Sequence, residues 1–525
     1  MRLHQPFWLL ALGLALAWSP PVLAEEAPAE EVAVDPAWAK AFSEYTEEMS
    51  SGQKARAADA LVALVEDEKR ADYHADAYSL LSEVLEQLDL PYAALVAGCR
   101  ALDLIADGQE PGQAPPDAAR LIGLADRVGD TAILEPVFAK NVGNDDDPEM
   151  RSRIVYLAGR EIFRQGEYGL TLALMKMIDK DSSVYADGKM LEAIVLNQQE
   201  RYTDALAPLL VARATADAAK RGGDARSQRF KDMVTINLAR TYYGAKNYPR
   251  AIEYYAQVSR SSNLWPTAQF ERAWAHFSLD DMNGTLGILH SNIAPFLDDH
   301  YFAEAELLRN YALFLLCKFP DATRQVDRFT SRYKAVYAET KAAVTPLDAT
   351  AMFDQTSDFI ENGNTAGFPL MILAPWAQEA RFLASLNAVR QAEDEAARLK
   401  AVSANPFAAA ATRWVEDRHA SIKESEGARV RDRVTFQVDE MGALLANAEI
   451  SKLDMLQMET RLYEMASVTG KKLDKKGQAE RKRRVQRNHQ YWPWEGEYWA
   501  DELGYYRVNA KTDCPVGLRP AGGEQ

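Results

Sequence analysis

The chain of 525 residues has few cysteines and, beyond its first two dozen residues, no long hydrophobic run. Three cysteines are too few for a disulfide framework. Cys99 and Cys317 fall in apolar stretches with helical periodicity, where a cysteine is usually a small core residue. Cys514 lies in a polar tail and could pair in an oxidising compartment, although the sequence does not show its partner. We therefore expect a soluble mature chain with at most one disulfide.

Motifs of catalysis and metal binding are also missing from the sequence. It has no glycine-rich phosphate loop and no HExxH, CxxC or GxSxG motif. Asp298-Asp299-His300 is a lone acid–histidine cluster, and we expect it to cap a helix near Tyr301. Glu424-Ser425 matches the Glu-Ser pair of soluble lytic transglycosylases, but the Gly-x-Met-Gln-type segment expected after it is absent. We predict a protein that is not an enzyme, with no cofactor and no catalytic or metal-binding residue.

Acidic residues outnumber basic ones, with 77 Asp and Glu against 60 Lys and Arg and a net charge of −17. A surface of that charge works against binding of the nucleic-acid backbone, so no nucleic-acid partner is expected. The hydrophobic fraction of 47% is sufficient for a substantial core. The length allows either two to four domains or one long solenoid.

Residues 1–24 have the three parts of a secretory signal peptide. Arg2 is the positive residue, residues 7–18 are apolar, and Val22-Leu23-Ala24 is a small-residue cleavage site. The apolar run is too short to cross a bilayer, which needs ~20 residues. We predict export to the periplasm or beyond, with a mature chain that begins at Glu25. A buried N-terminal helix is the alternative.

Small residues recur at a fixed period, of about 34 residues, as is typical of repeat architectures. The pattern extends from about residue 36 to residue 335. In the clearest copy, Ala239 is followed nine residues later by Tyr248 and three residues after that by Ala251. A small residue on each of two antiparallel helices lets their backbones approach closely, so these positions are expected to pack helix against helix. The packing residues are Gly159, Ala193, Ala205, Ala239, Ala251, Ala273 and Ala322.

This period, with small residues at these offsets, resembles the tetratricopeptide repeat (TPR). The resemblance implies an all-α fold in which helical hairpins stack into a superhelix, an α-solenoid. Its concave surface would hold peptides or helices of partner proteins. Most copies are degenerate, and residues 105–150 keep little of the pattern. An unrelated helical array is the alternative.

Beyond residue 376 the composition shifts towards Ala, Glu and Arg, and the periodicity predicts a region of long helices over residues 376–470. We expect a first helix around Leu386, a shorter helix after Asn405-Pro406, and a long helix from about Gly427 to Val468. Packing of these helices on the repeats and packing on a partner helix both fit the pattern.

Residues 471–525 form a tail that is first basic and then aromatic. Residues 471–487 contain nine Lys or Arg, and residues 491–506 contain seven aromatic residues. A folded cap on the last helices is one interpretation, and contact of residues 471–506 with anionic lipid or peptidoglycan is another. Because Trp and Tyr often anchor interfaces, we assign partner binding to Tyr491, Trp492, Trp494, Tyr498 and Trp499.

The signal sequence, the repeats and the tail sequence Tyr-Trp-Pro-Trp-Glu-Gly-Glu-Tyr-Trp are together similar to periplasmic TPR proteins of the myxobacterial adventurous gliding machinery. The resemblance implies a scaffold or adaptor that binds other envelope proteins in a motility or trafficking complex. Two other functions fit the sequence. One is a peptidoglycan-associated protein, including a remnant of the lytic transglycosylase superhelix. The other is an accessory factor of outer-membrane assembly or secretion.

Overall fold

The computed structural model describes residues 36–110, 114–140, 146–220, 225–469 and 498–514. These residues form twenty α-helices, and no β-strand occurs within the described ranges. The prediction of an all-α helical solenoid is confirmed. The predicted signal peptide and the basic run of residues 471–487 lie outside the described residues. None of the described helices is both long enough and apolar enough to span a membrane.

The array consists of helices that follow one another along the chain and pack consecutively, mostly as hairpins. They are α1 (Pro36–Ser50), α2 (Lys54–Val65), α3 (His74–Gln87), α4 (Pro91–Ala106), α5 (Ala118–Val128), α6 (Leu134–Lys140), α7 (Pro148–Arg164), α8 (Tyr168–Met175), α9 (Tyr185–Gln198), α10 (Tyr202–Lys220), α11 (Ala225–Gly244), α12 (Tyr248–Tyr255), α13 (Trp265–Ser278), α14 (Met282–Asn292), α15 (Ala303–Leu315) and α16 (Phe319–Val344). Short 3₁₀ helices add single turns at Glu68–Tyr73, Thr131–Ile133, Pro295–Leu297 and Ala374–Gln378.

Turns inside the hairpins contain a residue in the left-handed region of backbone conformation. Gly166 and Glu200 are one repeat period apart, and so are Lys246 and Asp280, so the turns recur with the period seen in the sequence. Non-glycine residues seldom adopt a positive φ. The recurrence of a positive φ at these turns therefore indicates that one turn geometry is used along the array. The turn residues with this geometry, with φ from 54° to 82°, are Asp89, Gly166, Glu200, Lys246, Asp280 and Cys317.

The structure places all seven small residues assigned to helix packing in the interior of the array. Ala239 and Ala251 lie on the two helices of one hairpin, α11 and α12, and neither is exposed to solvent. At Gly159 an added Cβ would collide with the terminal methyl group of Met175 on the next helix. The small residues of the repeat pattern thus lie at buried positions of the array, and at Gly159 two paired helices approach too closely for a Cβ.

Residues 349–469 form four further helices: α17 (Ala349–Asn362), α18 (Leu370–Leu373), α19 (Ala380–Ala401) and α20 (Pro406–Thr469). The prediction of a short helix followed by a separate long one is wrong, because α20 is continuous over 64 residues. Its proline lies at the first helical position, where the missing N–H is not needed. Gly427, which marked the predicted boundary, lies inside the helix where the start of α17 crosses it.

The pair α19 and α20 contacts both the beginning and the end of the array. It packs on α2 and α4 at one end and on α15, α16 and α17 at the other. Hydrophobic residues from these distant parts of the chain share one core, whereas α9 to α14 contribute largely to smaller clusters. The carboxylate of Glu395 on α19 accepts hydrogen bonds from the backbone N–H of Tyr92 (2.9 Å) and Ala93 (2.7 Å). Glu395 therefore caps the N-terminus of α4, which has no side-chain cap of its own.

We expect Ala251→Trp to unfold the middle of the array, because Ala251 is fully buried between paired helices. An indole there would require the backbones of α11 and α12 to separate, and overpacking of this kind costs about 1–3 kcal/mol or more. Thermal melts followed by circular dichroism would measure the loss. Glu253→Trp, at an exposed position of the same helix, is the control. A wild-type melting curve for Ala251→Trp would show that the repeat register is wrong.

Candidate partner-binding site

An open cleft of about 480 Å³ lies between the array and α20. One wall consists of the start of α13 and of residues 299–302, which precede α15. The opposite wall consists of α20, and residues 372–379 close the space between them. The cleft therefore depends on the docking of α20 against the array.

Three polar side chains of α20 line the cleft: Arg429, Arg433 and Gln437. Their spacing of four residues puts them on one face of the helix. The charge of Arg429 is compensated, since its guanidinium donates to the carboxylates of Glu379 and Glu426, at 2.8 Å each. Arg433 is exposed and forms no ion pair within the described part of the chain, although its guanidinium lies 5.5 Å from the ring centroid of Phe436. Arg433 is thus the arginine of this wall whose charge is not compensated by a carboxylate, which makes it the candidate for binding an anionic group.

The remaining walls are aromatic and polar. The ring of Trp376 is buried and lies 5.2 Å from the guanidinium of Arg429. His300 stacks on Phe302, with 5.8 Å between the ring centroids. A guanidinium beside flat apolar surfaces suits a peptide with an acidic residue or a terminal carboxylate, which arginine binds through two parallel hydrogen bonds.

The expected role of Asp298-Asp299-His300 as a helix cap is wrong. Helix α15 begins at Ala303, and the residue at its N-cap position, Phe302, makes no side-chain cap. Asp299 instead pairs with its neighbour His300, with 2.7 Å between Oδ1 and Nδ1. Asp298 pairs with an arginine of α16. In the described ranges, no group of three or more His, Cys, Asp or Glu side chains is placed to hold a metal ion.

The aromatic residues assigned to partner binding are separated by the structure. Tyr491, Trp492 and Trp494 lie outside the described residues. Tyr498 is half-buried and stacks on His290 of α14, with 4.9 Å between ring centroids. Trp499 is 57% exposed. Of the assigned residues that the structure describes, Trp499 is therefore the one that offers its ring to a partner.

Residues 498–514, which we call the strap, lie along α14. The end of the strap is joined to the array by a disulfide between Cys514 and Cys317, whose Cα atoms are 5.1 Å apart. Cys317 is buried in the core, as expected, but it lies in the turn between α15 and α16 and is the disulfide partner that the sequence did not show for Cys514. Cys99 is the buried free cysteine.

We expect acid to weaken the docking of the strap through His290. Burial, followed by the charge of Arg309, lowers the pKa of His290 from 6.5 to about 4. The unfolded chain therefore binds more protons than the folded chain between these pH values. The free energy of unfolding accordingly falls as the pH drops from 6.5 towards 4. At 1.36 kcal/mol per pKa unit, the loss is up to about 3 kcal/mol.

Urea melts at several pH values between 7 and 4 would measure this loss. In His290→Gln the position no longer titrates, so stability should depend less steeply on pH than in the wild type. Equal pH dependence in the two proteins would show that His290 does not couple to folding.

Comparison with known proteins identifies no family. No family model matches the chain, and no curated protein matches it. Among solved structures, the chain is similar to a Rap protein, crystallised in complex with Competence and Sporulation Factor. The two share 13% identity over 75% of this chain and 100% of that one, with a TM-score of 0.28. The class of this protein therefore rests on its own helix pairs, which make it an α-solenoid of TPR-like hairpins.

Proposed function

We propose that this protein is a non-enzymatic scaffold of the periplasm that holds other proteins of the cell envelope. The observation that carries the proposal is the cleft between the array and α20. It combines the exposed guanidinium of Arg433 with the aromatic surfaces of Trp376 and Phe302. This chemistry suits a segment of a partner protein that carries a carboxylate.

The periplasmic location is supported by the disulfide between Cys317 and Cys514. Disulfides persist in oxidising compartments, such as the bacterial periplasm, and are rare in the cytosol. The signal sequence of residues 1–24 supports the same location. The resemblance of the tail to periplasmic gliding proteins makes a motility or trafficking complex the first assembly in which to look for partners.

Affinity capture of the mature chain from its own envelope fraction, after mild cross-linking, tests the proposal. We expect the wild type to recover a defined set of envelope proteins and Arg433→Glu to recover much smaller amounts of the same proteins. The loss should be about tenfold or more, since one charge-assisted hydrogen bond contributes ~1.5–3 kcal/mol. The matched control is Arg431→Glu, an exposed arginine of α20 that does not line the cleft.

Two results would contradict the proposal. One is that the wild type recovers no specific protein, and the other is that Arg433→Glu recovers the same set in the same amounts as Arg431→Glu. Pelleting of the chain with purified peptidoglycan, abolished by Trp492→Ala with Trp494→Ala, would instead favour a glycan-binding protein.

A further inference from the structure

The strap runs antiparallel to α14: residues 500–505 form turns, closed by backbone hydrogen bonds from Glu502 to Trp499 and from Tyr505 to Glu502, and residues 506–514 continue without regular secondary structure. The N–H of Gly504 donates to the hydroxyl of Ser291 near the end of α14, at 2.6 Å. Further along the strap, Ala510 contacts Asn283 in the first turn of the same helix. The strap thus follows a groove along the whole of α14 and reaches the turn at the end of α15.

The array holds the backbone of the strap by polar side chains. The amide of Asn283 contacts both backbone groups of Ala510: its oxygen accepts from the N–H at 2.7 Å, and its nitrogen donates to the carbonyl at 3.2 Å. Arg260 donates to the carbonyl oxygens of Ala500 and Asp501. Contacts of this kind do not depend on the side chains of the strap. Proteins that recognise extended peptides use them to gain affinity.

Side chains of the strap also contact particular residues of the array. Leu503 is buried in a cluster that includes Trp265. The ring of His290 lies between Tyr498 and Tyr506, at 4.9 and 4.7 Å between ring centroids. Gly504 has a φ of 85°, and an added Cβ would lie 3.0 Å from the ring of Trp265. The groove therefore selects two tyrosines that flank a Leu-Gly pair.

The backbone of the strap lies very close to α14 at Gly287. Gly287 of α14 lies under the carbonyl of Tyr506, and an added Cβ would be 2.5 Å from that oxygen. A glycine inside a helix costs about 1 kcal/mol relative to alanine. The close approach of the strap accounts for this glycine, because only glycine lets the carbonyl lie so near the helix axis.

The strap resembles a bound ligand more than a part of the core. Residues 498–514 form no helix and no strand, and Leu503 is the only apolar side chain of the strap that is buried. Its Trp499 and Tyr505 are more than half exposed. At the far end, the carboxylate of Asp513 pairs with Lys318 at 2.5 Å, beside the disulfide. Backbone hydrogen bonds, one apolar anchor and an ion pair at the edge are typical of an interface.

We propose that the strap is an internal ligand of a peptide groove along α14, kept in place by the Cys317–Cys514 disulfide. Once the disulfide is reduced, the groove accepts a partner peptide of the same chemistry: a segment with tyrosines around a Leu-Gly turn, followed by a carboxylate. Without the disulfide, the strap is attached only through residues 470–497. A partner then competes with a ligand that is tethered at one end instead of two.

The release step needs a dithiol reductant. A thiolate of the reductant attacks Sγ of Cys514, which is less buried than Cys317, and Cys317 leaves as a thiolate that takes up a proton. The second thiol of the reductant then displaces Cys514 from the mixed disulfide. The protein gains two thiols, and the reductant gains one disulfide.

Hydrogen exchange of the wild-type chain with and without dithiothreitol is the first test. The N–H groups of Gly504, Ala510 and Asp513 are bonded to the array. Reduction should speed their exchange by about tenfold or more, while helices α13 to α15 keep most of their protection. Unchanged protection of the strap after reduction would overturn the proposal and would make the disulfide a purely structural link.

Binding of a fluorescein-labelled peptide of residues 498–514, with serine in place of its cysteine, is the second test. The receptor is the full chain with Leu503→Asp and Cys514→Ser, which releases its own strap. This chain should bind the peptide at least about tenfold more tightly than the oxidised wild type does. Adding Gly287→Ala should abolish binding, although alanine favours the helix. Equal affinity for the released and the oxidised chain, or no binding to either, would contradict the proposal. Arg433→Glu, in the separate cleft beside α20, should leave both measurements unchanged.

Discussion

Arg418→Ala is expected to lower the free energy of unfolding by about 3–5 kcal/mol, the usual cost of removing one partner of a buried ion pair. Arg418 of α20 donates from Nε and Nη2 to the two carboxylate oxygens of Asp130, both at 2.8 Å. The hydroxyl of Tyr92 donates to the same carboxylate, also at 2.8 Å. Asp130 is only 4% exposed. Without the guanidinium of Arg418, the buried carboxylate of Asp130 loses its counter-charge. Of the donors described here, it then keeps the hydroxyl of Tyr92 alone.

Denaturant melts would measure this loss. The matched control is Arg413→Ala, because Arg413 lies on the same helix and pairs with Glu66 at 2.6 Å. Both partners of that pair are more than half exposed, and surface pairs contribute about 0–1 kcal/mol. Similar losses for the two variants would show that the Asp130 pair is not what holds α20 against the first repeats.

Gly427→Ala is expected to destabilise the protein by about 2–3 kcal/mol, at the upper end of the range for overpacking. A Cβ at this position would collide with the backbone carbonyl of Ala349 and would lie 3.1 Å from Cβ of Phe353. A carbonyl cannot move aside as a side-chain rotamer can, so α17 and α20 must separate. Alanine would otherwise favour the helix by about 1 kcal/mol, which makes a loss of stability diagnostic of the crossing.

The control for this variant is Gly442→Ala on the same helix. Its Cβ would lie 3.5 Å from the ring of Tyr337, an ordinary contact. We expect a small gain of stability in this variant, of about 0.5–1 kcal/mol. Chemical melts of the two variants give a direct comparison. A gain of stability in both would show that α17 does not approach α20 at Gly427.

The array could be predicted from the sequence because its contacts are local. Ala239 and Ala251 belong to one hairpin, so their spacing reflects the packing of two neighbouring helices. Even in the degenerate copies the small residue persists, since it is the close approach of the backbones that requires it. The period of the small residues in the sequence reappears as the spacing between turns, as from Gly166 to Glu200.

The features that involve α19, α20 and the strap could not be predicted in the same way. Arg418 and Asp130 are 288 residues apart, and Cys317 and Cys514 are 197 residues apart. No periodicity connects residues at such separations. At Gly427 the local signal was misleading, because a glycine that permits a helix crossing looks in the sequence like one that ends a helix.

The cleft was missed for a related reason. Arg433 lies in a helix rich in charged residues, and nothing in the sequence distinguishes it from Arg431. The two differ only in the direction in which the helix presents them once α20 is docked. The strap did carry a signal, since tyrosines, a Leu-Gly pair and a cysteine occur together within residues 498–514. Of the strap, the sequence assigned only Tyr498 and Trp499 to partner binding, whereas the structure shows Tyr498 packed on His290 of its own chain.

The docking of α20 has a consequence for the way the chain folds. In an open solenoid each repeat contacts only its neighbours, so folding begins anywhere and spreads step by step. Here α20, a helix of 64 residues that is roughly 96 Å long at 1.5 Å per residue, packs on α2 and α4 at one end and on α15, α16 and α17 at the other. Two groups that stabilise the first repeats come from the end of the chain: Glu395, which caps α4, and Arg418, which pairs with Asp130. The first repeats therefore lack both contacts until the intervening chain has been synthesised. Until then the early hairpins are an incomplete intermediate, and the last long helix converts a nearest-neighbour chain into one cooperative unit.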